Sequence, residues 1–497
     1  MQKIANSFIH LIILLILVLL IIFAYFKYNE KVSEVNTNDY KWLNKHININ
    51  KSGKIHYIDK NDSINIYSSN YRKVISEKLN KLINQSYSIN SPLIIYNMYG
   101  TNNLSVNIYY STPKASTTSY TISVDDINID DFTKTIDNNY RIQHKYQIIG
   151  LVSGYINNIK IISTTKDGVV TKKNYEIDLR NLNNSKEILS IEDTNNSNEL
   201  IDGLYAVTRD KYISIYDNNG IIRSEIPTNY HSNRILLDKN NMYINISNNK
   251  IVKINNLGEV IDVYSTGDYT IGKDYVLNDN NIIFIGTNKK NKTSNDQLIK
   301  INLKTHEITN LIDFTKLFKS FYEKDNTKNW LNLNSIDFSN NDAILSSKST
   351  SSIIKITNIN KNPTIKYILG NKDLYNDTDL SKYIYNQKGD FILHNSQMDV
   401  KNNLTLMTIT ESKDKTMYYE YKVNEDKHEY ELTKYIDLDY STISSAQILD
   451  NNRILSLKDK KCFYEYDNSN KLIRKFNTDY EDINSVYKYT FKDYWFK

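Results

Sequence analysis

The sequence predicts an all-β protein in which an N-terminal transmembrane helix is followed by a small Ig-like β-sandwich and then by a six-bladed β-propeller. Three observations predict this architecture. One long apolar run lies near the N-terminus, period-two alternation of apolar residues continues to about residue 180, and a strand–turn unit recurs about six times after residue 203. The boundaries that we expect are an anchor at 1–34, a stalk and amphipathic helix at 35–88, a sandwich at 89–190 and a propeller at 200–497.

Composition supports a folded β protein and argues against a nucleic-acid partner. Glycine (13) and proline (4) are scarce in the 497 residues, so asparagine, which tolerates left-handed backbone angles, is expected at many turns. The 62 basic and 57 acidic residues give a net charge of +5 and are interspersed along the chain. A nucleic-acid-binding protein would concentrate its basic residues in a patch or tail, so no nucleic-acid partner is expected.

The apolar run Phe8–Phe26 is long enough to cross a bilayer. As a helix it would extend about 28 Å, close to the thickness of the hydrocarbon core. It is longer than the apolar part of a signal peptide and is not followed by a small-residue cleavage site, which favours an uncleaved anchor. Lysines flank it on both sides, so charge counting leaves its orientation open. We expect a single-pass protein of the cell membrane with its β domains outside the cytoplasm.

The segment between the anchor and the propeller changes its periodicity once. Residues 28–70 are polar and predict a stalk, and Tyr71–Tyr87 carries apolar residues at helical spacing. The alternation that follows predicts about seven short strands of a small sandwich. The clearest of these strands are Ser105–Thr112, Ser119–Asp125, His144–Gly154 and Asn157–Thr165.

The repeat after residue 203 predicts a propeller. Each copy has an apolar strand start, a turn rich in Asp and Asn, and further strands. Four-stranded units repeated four to eight times are typical of β-propellers, and the alternative is an array of β-sandwiches. The copies are Tyr212–Pro227, Leu236–Ile244, Val276–Gly286, Ile336–Ser347, Asp399–Ile409 and Ile448–Leu457.

Several segments resemble the bacterial aryl-sulfate sulfotransferase family. In the sandwich, NMYGTN at Asn97–Asn102 and HKYQIIGLVSG at His144–Gly154 resemble the family's N-terminal domain. In the propeller, YHSNRILLD, NWLNLNSI and FILHNSQMDV, which begin at Tyr230, Asn329 and Phe391, resemble its channel-lining segments. The resemblance runs from about residue 90 to the C-terminus.

The resemblance implies a fold, a reaction and partners. Members of this family are six-bladed propellers that transfer a sulfuryl group from a phenolic sulfate to a phenol without a nucleotide donor, so no cofactor is expected. No metal is expected either, because the eight histidines are scattered without carboxylate or cysteine partners at ligand spacing. A channel histidine attacks the sulfur, and neighbouring His, Asn and Arg residues bind the sulfuryl oxygens. The family's N-terminal domain takes part in dimerisation, which implies a homodimer.

The site residues that the resemblance implies are only partly present. His231 and Asn334 match the family, whereas Asn332 occupies a histidine position and Lys348 an arginine position. Met398 stands where the family has its nucleophilic histidine. A thioether is a poor attacker of sulfur, and an amide is no general acid near neutral pH.

His394 is the other histidine near that position. It lies four residues before Met398, and an even shift in strand register would keep it on the same face. A packed or surface histidine without a catalytic role is the alternative. Two hypotheses therefore remain: a sulfotransferase whose activity is weak or lost, and a non-catalytic anchored propeller that binds a ligand or protein partner at the cell surface.

Overall fold

A computed structural model describes residues 39–180, 188–194, 197–325, 327–388, 405–411, 416–438, 443–457, 459–481 and 483–497. The expected anchor at Phe8–Phe26 lies outside these residues. Within the described part of the chain, no helix is both long and apolar enough to span a membrane. The anchor therefore stays a prediction from the sequence.

The first compact unit lies within residues 39–85. It contains helix α1 (Tyr40–His46), strands β1 (Asn48–Ser52) and β2 (Ile55–Asp59), and helix α2 (Ser69–Ile83). Each helix begins at a side-chain cap: Asp39 accepts a hydrogen bond from the N–H of Trp42, and Ser68 accepts one from the N–H of Tyr71. The amphipathic helix is confirmed, whereas the polar stretch expected to be a stalk contains α1 and the paired strands β1 and β2.

The Ig-like domain has fewer and longer strands than expected. SVNIYYST and SYTISVD, which predict two strands, belong to one 19-residue strand that bends through shifts of register near Ser111 and Ser116. Bulges let a long strand turn while it keeps its ladder, so the sequence between the two segments does not end the strand. The five strands are β3 (Leu93–Tyr96), β4 (Ser105–Ser123), β5 (Phe132–Ile149), β6 (Ile156–Thr165) and β7 (Val170–Asp178), in the order β3-β4-β6-β7 with β5 also paired to β4.

The Ig-like domain contains a buried histidine, His144, whose surroundings disfavour its protonation. The ring of His144 is 1% exposed, stacks on Tyr110 with centroids 4.5 Å apart, and lies 3.1 Å from Thr112 Oγ1 and 3.0 Å from the Tyr146 hydroxyl. Burial lowers its pKa from 6.5 to about 4. As the pH falls below 6.5, the His144 imidazole is therefore protonated in the unfolded chain but stays neutral in the folded protein.

We expect His144→Gln to reduce the loss of stability in acid. Because the pKa of His144 is lower in the folded state, its contribution to stability is lost as the pH falls from 6.5 towards 4. After discounting for solvent screening, wild type should lose about 1 kcal/mol more than the variant between pH 7 and pH 5 in urea unfolding. His231→Gln, at an exposed histidine, should keep the wild-type profile, and equal acid losses in all three proteins would contradict the assignment.

The propeller consists of six sheets, which confirms the repeat read from the sequence. Blade I is β9 (Leu204–Thr208), β10 (Tyr212–Tyr216), β11 (Ile222–Pro227) and β32 (Ser485–Tyr489); blade II is β12 (Leu236–Asp238), β13 (Asn241–Ser247), β14 (Lys250–Asn255) and β15 (Val260–Ser265); blade III is β16 (Tyr269–Asn278), β17 (Asn281–Asn288), β18 (Gln297–Asn302) and β19 (Ile308–Asp313). Two short helices, α3 (Phe314–Leu317) and α4 (Lys319–Lys324), follow blade III.

The remaining blades include two departures from this pattern: the short strand Asn386–Lys388 pairs in parallel at the outer edge of blade V, and blade VI has five strands. Blade IV is β20 (Leu333–Ser339), β21 (Asp342–Ser347), β22 (Ser352–Thr357) and β23 (Thr364–Leu369); blade V is β24 (Asn386–Lys388), β25 (Thr405–Glu411), β26 (Thr416–Asn424) and β27 (Glu429–Leu438); blade VI is β28 (Ile443–Leu449), β29 (Asn452–Leu457), β30 (Cys462–Tyr466), β31 (Leu472–Asn477) and β8 (Ser190–Asp193).

Both ends of the propeller sequence close the ring. The last strand, β32, is the innermost strand of blade I, and the first strand, β8, is the outermost strand of blade VI. Lys488 on β32 is fully buried and lies 2.8 Å from Glu465 Oε2 of blade VI and 3.0 Å from the hydroxyl of Tyr205 in blade I. A buried charge needs such a partner, so this pair joins the first and last blades.

Asparagine supplies many of the left-handed turns, as the scarcity of glycine predicts. It is the commonest residue type among the described non-glycine positions with positive φ. Asn340 and Asn341 (φ 50° and 71°) form the turn between β20 and β21, and Asn358 (φ 57°) lies in the turn between β22 and β23. The short amide side chain makes this conformation less costly than it is for other residues with a Cβ atom.

Candidate functional site

The predicted site residues that the structure describes lie on one edge of the propeller, which we call the entry rim. It is formed by the loops that lead into the innermost strands, such as 228–235 and 327–332, and by the turns between the second and third strands of a blade, such as 289–296 and 348–351. Strands alternate in direction within a blade, so these two sets of connections share an edge. The turns 239–240 and 256–259 belong to the opposite edge, the far rim.

The segment NWLNLNSI builds the central part of the entry rim. Trp330, Leu331 and Leu333 are buried in the core between blades III and IV, and the indole N–H of Trp330 donates to Asp296 Oδ2 at 3.1 Å. Asn332 stands between these anchors with φ 46°, a left-handed angle that asparagine tolerates. The buried neighbours therefore fix the half-buried amide of Asn332 at the surface of the rim.

A chain of hydrogen bonds joins Asn332 to the other rim segments. The backbone N–H of Lys348 donates to Asn332 O at 3.1 Å, and Asn295 Nδ2 donates to Asn332 Oδ1 at 3.3 Å. Asn295 packs against Gly272, where a Cβ atom would come within 2.5 Å of Asn295 Oδ1. Asn233 Nδ2 donates to Gly272 O at 2.9 Å. The structure thus brings the His231 segment, Asn332 and Lys348 to one continuous rim.

Asn334 occupies a β-bulge at the start of β20. Leu333 pairs with Ser347 and Ser335 pairs with Ser346, so Asn334 is the extra residue. Its side chain is half-buried. Blade VI repeats the irregularity, since Ile443 pairs with Leu457 and Ser445 with Ser456. The bulge is therefore a property that the blades share and does not by itself mark a catalytic role for Asn334.

His231 lies on the rim but not in contact with the other predicted residues. Its ring is exposed and stacks on Tyr230, with centroids 4.2 Å apart. Within the described part of the chain, no hydrogen bond joins it to Asn332 or Lys348. Lys348 is also exposed, in the turn between β21 and β22. The site in this structure is an open polar rim with one histidine at its side.

Arg234 is a channel residue that the sequence reasoning missed. Its guanidinium carbon lies 4.7 Å from the ring centroid of Tyr487, on the innermost strand of blade I, and Nη1 lies 3.5 Å from Asp274 Oδ1, on the innermost strand of blade III. Contact with two innermost strands places this side chain in the central channel. Its position three residues after His231, directly before the apolar start of β12, is the signal that could have identified it.

Asp274 balances the charge of Arg234 and ties two blades together. Its Oδ2 accepts the backbone N–H of Ile336 on β20 at 3.1 Å, and Oδ1 accepts that of Tyr275 at 2.9 Å. Burial raises the pKa of Asp274 above its ordinary value, although the nearby guanidinium and the two N–H groups act in the opposite direction. This channel centre is therefore polar and hydrogen-bonded, as anion recognition requires.

Two predicted residues, Met398 and His394, lie outside the described residues. Three further described histidines of the Ig-like domain and the propeller lie away from the entry rim. His306 and His428 lie in turns between the third and fourth strands of blades III and V, and His144 lies in the Ig-like domain. No group of three or more His, Cys, Asp or Glu side chains able to hold a metal occurs in the described ranges.

The chemistry available on the described rim is anion binding. Lys348 supplies a positive charge, and Asn332 supplies an amide that can donate to an oxygen. Arg234, whose charge is balanced by Asp274, supplies guanidinium N–H donors. A nucleophile for sulfuryl transfer must be an imidazole or a comparable group placed close to these donors. Among the described residues of the rim only His231 carries an imidazole, and its ring is committed to stacking on Tyr230.

The solved structures that are similar to this chain have low TM-scores and low sequence identities. A nidogen/laminin complex is 9% identical over 57% of this chain and 97% of that chain, with a TM-score of 0.36. The N-terminal domain of Nup159 is 11% identical over 59% and 77%, with a TM-score of 0.31. Streptogramin B lyase is 15% identical over 59% and 88%, with a TM-score of 0.33. These likenesses carry no argument about function.

Family comparison identifies both domains. No curated protein sequence matches the chain significantly. The arylsulfotransferase (ASST) model matches residues 190–492, which contain the propeller, and the arylsulfotransferase Ig-like domain model matches residues 93–180, which contain β3 to β7. The two matches follow in the order that the resemblance implies and cover most of the chain. The protein belongs to the arylsulfotransferase family.

Proposed function

We propose that this protein binds a phenolic sulfate ester at the entry rim and lacks efficient sulfuryl transfer. The observation that carries the proposal is that the entry rim keeps residues able to bind an anion but not the expected histidines. Asn332 and Met398 stand where the family has histidine. Asn332 is fixed by Asn295 next to Lys348. Arg234 lies against Tyr487 and Asp274, on the innermost strands of blades I and III. Family membership supplies the ligand class, an aryl sulfate.

The residues of the rim fit binding better than catalysis. A sulfate ester carries a single negative charge that Lys348 can attract, and its oxygens can accept from the Asn332 amide and the Arg234 guanidinium. Transfer would also need a nucleophile and a proton donor for the departing phenolate. Met398 and Asn332, which stand at the family's histidine positions, supply neither.

The same reasoning extends to location. We propose that the apolar segment Phe8–Phe26 anchors the chain in the cell membrane and that the β domains act outside the cytoplasm. The length of the segment and the absence of a small-residue cleavage site support an uncleaved anchor. A homodimer through the Ig-like domain is a further expectation from family membership.

Lys348→Met should weaken binding of 4-nitrophenyl sulfate to the full chain about tenfold in isothermal titration calorimetry, because it removes a charge at the rim. Lys361→Met is the matched control. This lysine is also exposed and belongs to the same blade, but it lies in the turn between β22 and β23 on the opposite edge. Unchanged affinity for Lys348→Met, or equal losses in both variants, would contradict the proposed position of the ligand.

The same sample tests catalysis. With 4-nitrophenyl sulfate and phenol, we expect no release of 4-nitrophenol above the rate in buffer, and no protein species heavier by one sulfuryl group in mass spectrometry. A sulfuryl adduct on His231 or His394 would overturn the part of the proposal that concerns lost transfer. Binding without either signal supports the non-catalytic role.

A further inference from the structure

A cavity of about 570 Å³ lies on the far rim, away from the site described above. Its walls come from strand β5 of the Ig-like domain, from the propeller turns at Asn240 and at Asn256–Leu257, and from the C-terminal residues Tyr494 and Trp495. Its volume is within the range of small-molecule sites. None of the entry-rim residues lines it, so this cavity is a separate feature of the molecule.

Hydrogen bonds hold the floor of the cavity in place. The indole N–H of Trp495 donates to Gln147 Oε1 at 3.0 Å, and the hydroxyl of Tyr494 donates to Asn255 O at 2.9 Å. Gly258, with φ 85°, allows the close approach of the two domains, because a Cβ atom there would lie 2.5 Å from Gln147 Nε2. The cavity is therefore preformed between two tightly fitted surfaces.

The charge around the cavity is predominantly positive. Arg141, Lys145 and Lys497 all line it, and Asp137 is the acidic lining residue. The ammonium of Lys497 lies 3.1 Å from Asp493 Oδ1. Asp137 is 4% exposed and already accepts from Arg141 Nε at 2.7 Å and from the Tyr146 hydroxyl at 3.1 Å. Lys145 is exposed and has no carboxylate partner among the described residues. The net field thus favours an anionic ligand.

The polar residues that line the cavity also indicate which chemical class of anionic ligand it would bind. The amides of Gln143, Asn240 and Asn256 line the cavity and can both donate and accept hydrogen bonds. The aromatic residues Tyr494 and Trp495 are each only 4% exposed, and Trp495 stacks on Phe491 with centroids 4.6 Å apart. Little aromatic surface is therefore left to stack on a phenyl ring, while several groups could bind hydroxyls.

We propose that the far-rim cavity binds an acidic sugar, a pyranose unit that carries a carboxylate. Lys145, which has no carboxylate partner among the described residues, attracts the ligand carboxylate, and the paired cations Arg141 and Lys497 can donate further hydrogen bonds to it. The amides of Gln143, Asn240 and Asn256 bind the ring hydroxyls. The ligand differs in chemistry and in position from the phenolic sulfate proposed for the entry rim. The Ig-like domain then contributes a binding surface in addition to its structural role.

Saturation-transfer NMR and calorimetry with the full chain test this proposal, with glucuronate as the probe. Glucose, which has no charge, and benzoate, which has the carboxylate without hydroxyls, are the matched ligands. We expect glucuronate to bind at least about tenfold more tightly than either, because it alone uses both cations and amides. Equal binding of glucose would overturn the role of the charges. Tighter binding of benzoate, or no binding of glucuronate, would overturn the sugar assignment.

Lys145→Gln should weaken glucuronate binding about tenfold without a loss of folding, since Lys145 is exposed and belongs to no ion pair in the described chain. Lys160→Gln is the control, because Lys160 is equally exposed on the Ig-like domain but does not line the cavity. Loss of binding in both variants, or in neither, would show that glucuronate does not occupy this cavity. Circular dichroism on each variant verifies the fold.

Discussion

Replacing Lys488 with methionine is expected to lower the free energy of unfolding by about 3–5 kcal/mol. Lys488 and Glu465 are both fully buried, and their charged atoms lie 2.8 Å apart. Removing the cation leaves the Glu465 carboxylate in the interior without its charge partner, with only neutral donors such as Asn452 at 2.7 Å. Urea unfolding, followed by tryptophan fluorescence, measures the loss.

The effect should be specific to the buried pair that closes the ring. Lys461→Met breaks an ion pair with Glu481 that is 41% and 86% exposed, and it should cost less than about 1 kcal/mol. Adding Glu465→Gln to Lys488→Met should recover part of the loss, because it removes the isolated buried charge. If Lys488→Met cost no more than Lys461→Met, the pair would not be a major contact between the first and last blades.

Restoring three family residues together is expected to raise sulfuryl transfer well above the rate of the parent chain. The variant Met398→His, Asn332→His, Lys348→Arg supplies a nucleophile, a proton source and a bidentate donor. We expect release of 4-nitrophenol from 4-nitrophenyl sulfate at least about 100-fold faster than with the parent, since single groups of this kind contribute about 10²–10³ to rates. Mass spectrometry should detect the sulfuryl adduct at position 398.

The double variant that keeps Met398 is the matched control. Asn332→His with Lys348→Arg improves the surroundings but adds no group at the nucleophilic position, so it should stay at the parental rate. Equal activity of the double and triple variants would show that another residue attacks the sulfur. A silent triple variant with intact aryl-sulfate binding would show that position 398 does not reach the bound ligand.

Much of the architecture could be predicted from local patterns. The turn LLDKNNMYI and its counterparts recur because each blade needs the same short hairpin between its first two strands, and these hairpins appear as β12–β13, β16–β17, β20–β21 and β28–β29. Asparagine at left-handed positions such as Asn340 follows from the scarcity of glycine and the tolerance of the amide for that backbone angle. Such features depend on a few neighbouring residues, so the sequence contains the necessary information.

Features that depend on distant partners were harder to predict. Strand β4 continues through TPKASTTS because β5 pairs with it on both sides of residues 112–115 and β6 pairs with it from Ser116 onward, although that segment looks like a turn on its own. The polar stretch before α2 contains β1, β2 and α1, whose short strands and helix give weak periodic signals. Pairing partners and packing, which lie elsewhere in the chain, decide these segments.

The sequence by itself determined the succession of domains, the six repeats, and the identity of the residues at 231, 332, 334, 348 and 398. It could not determine which of these meet. Only the tertiary structure placed Asn332 beside Lys348, left the His231 ring on Tyr230, and brought Arg234 into the channel against Tyr487 and Asp274. The reason is physical: in a propeller, rim loops from separate blades converge on one axis, and their contacts depend on how the blades close into a ring.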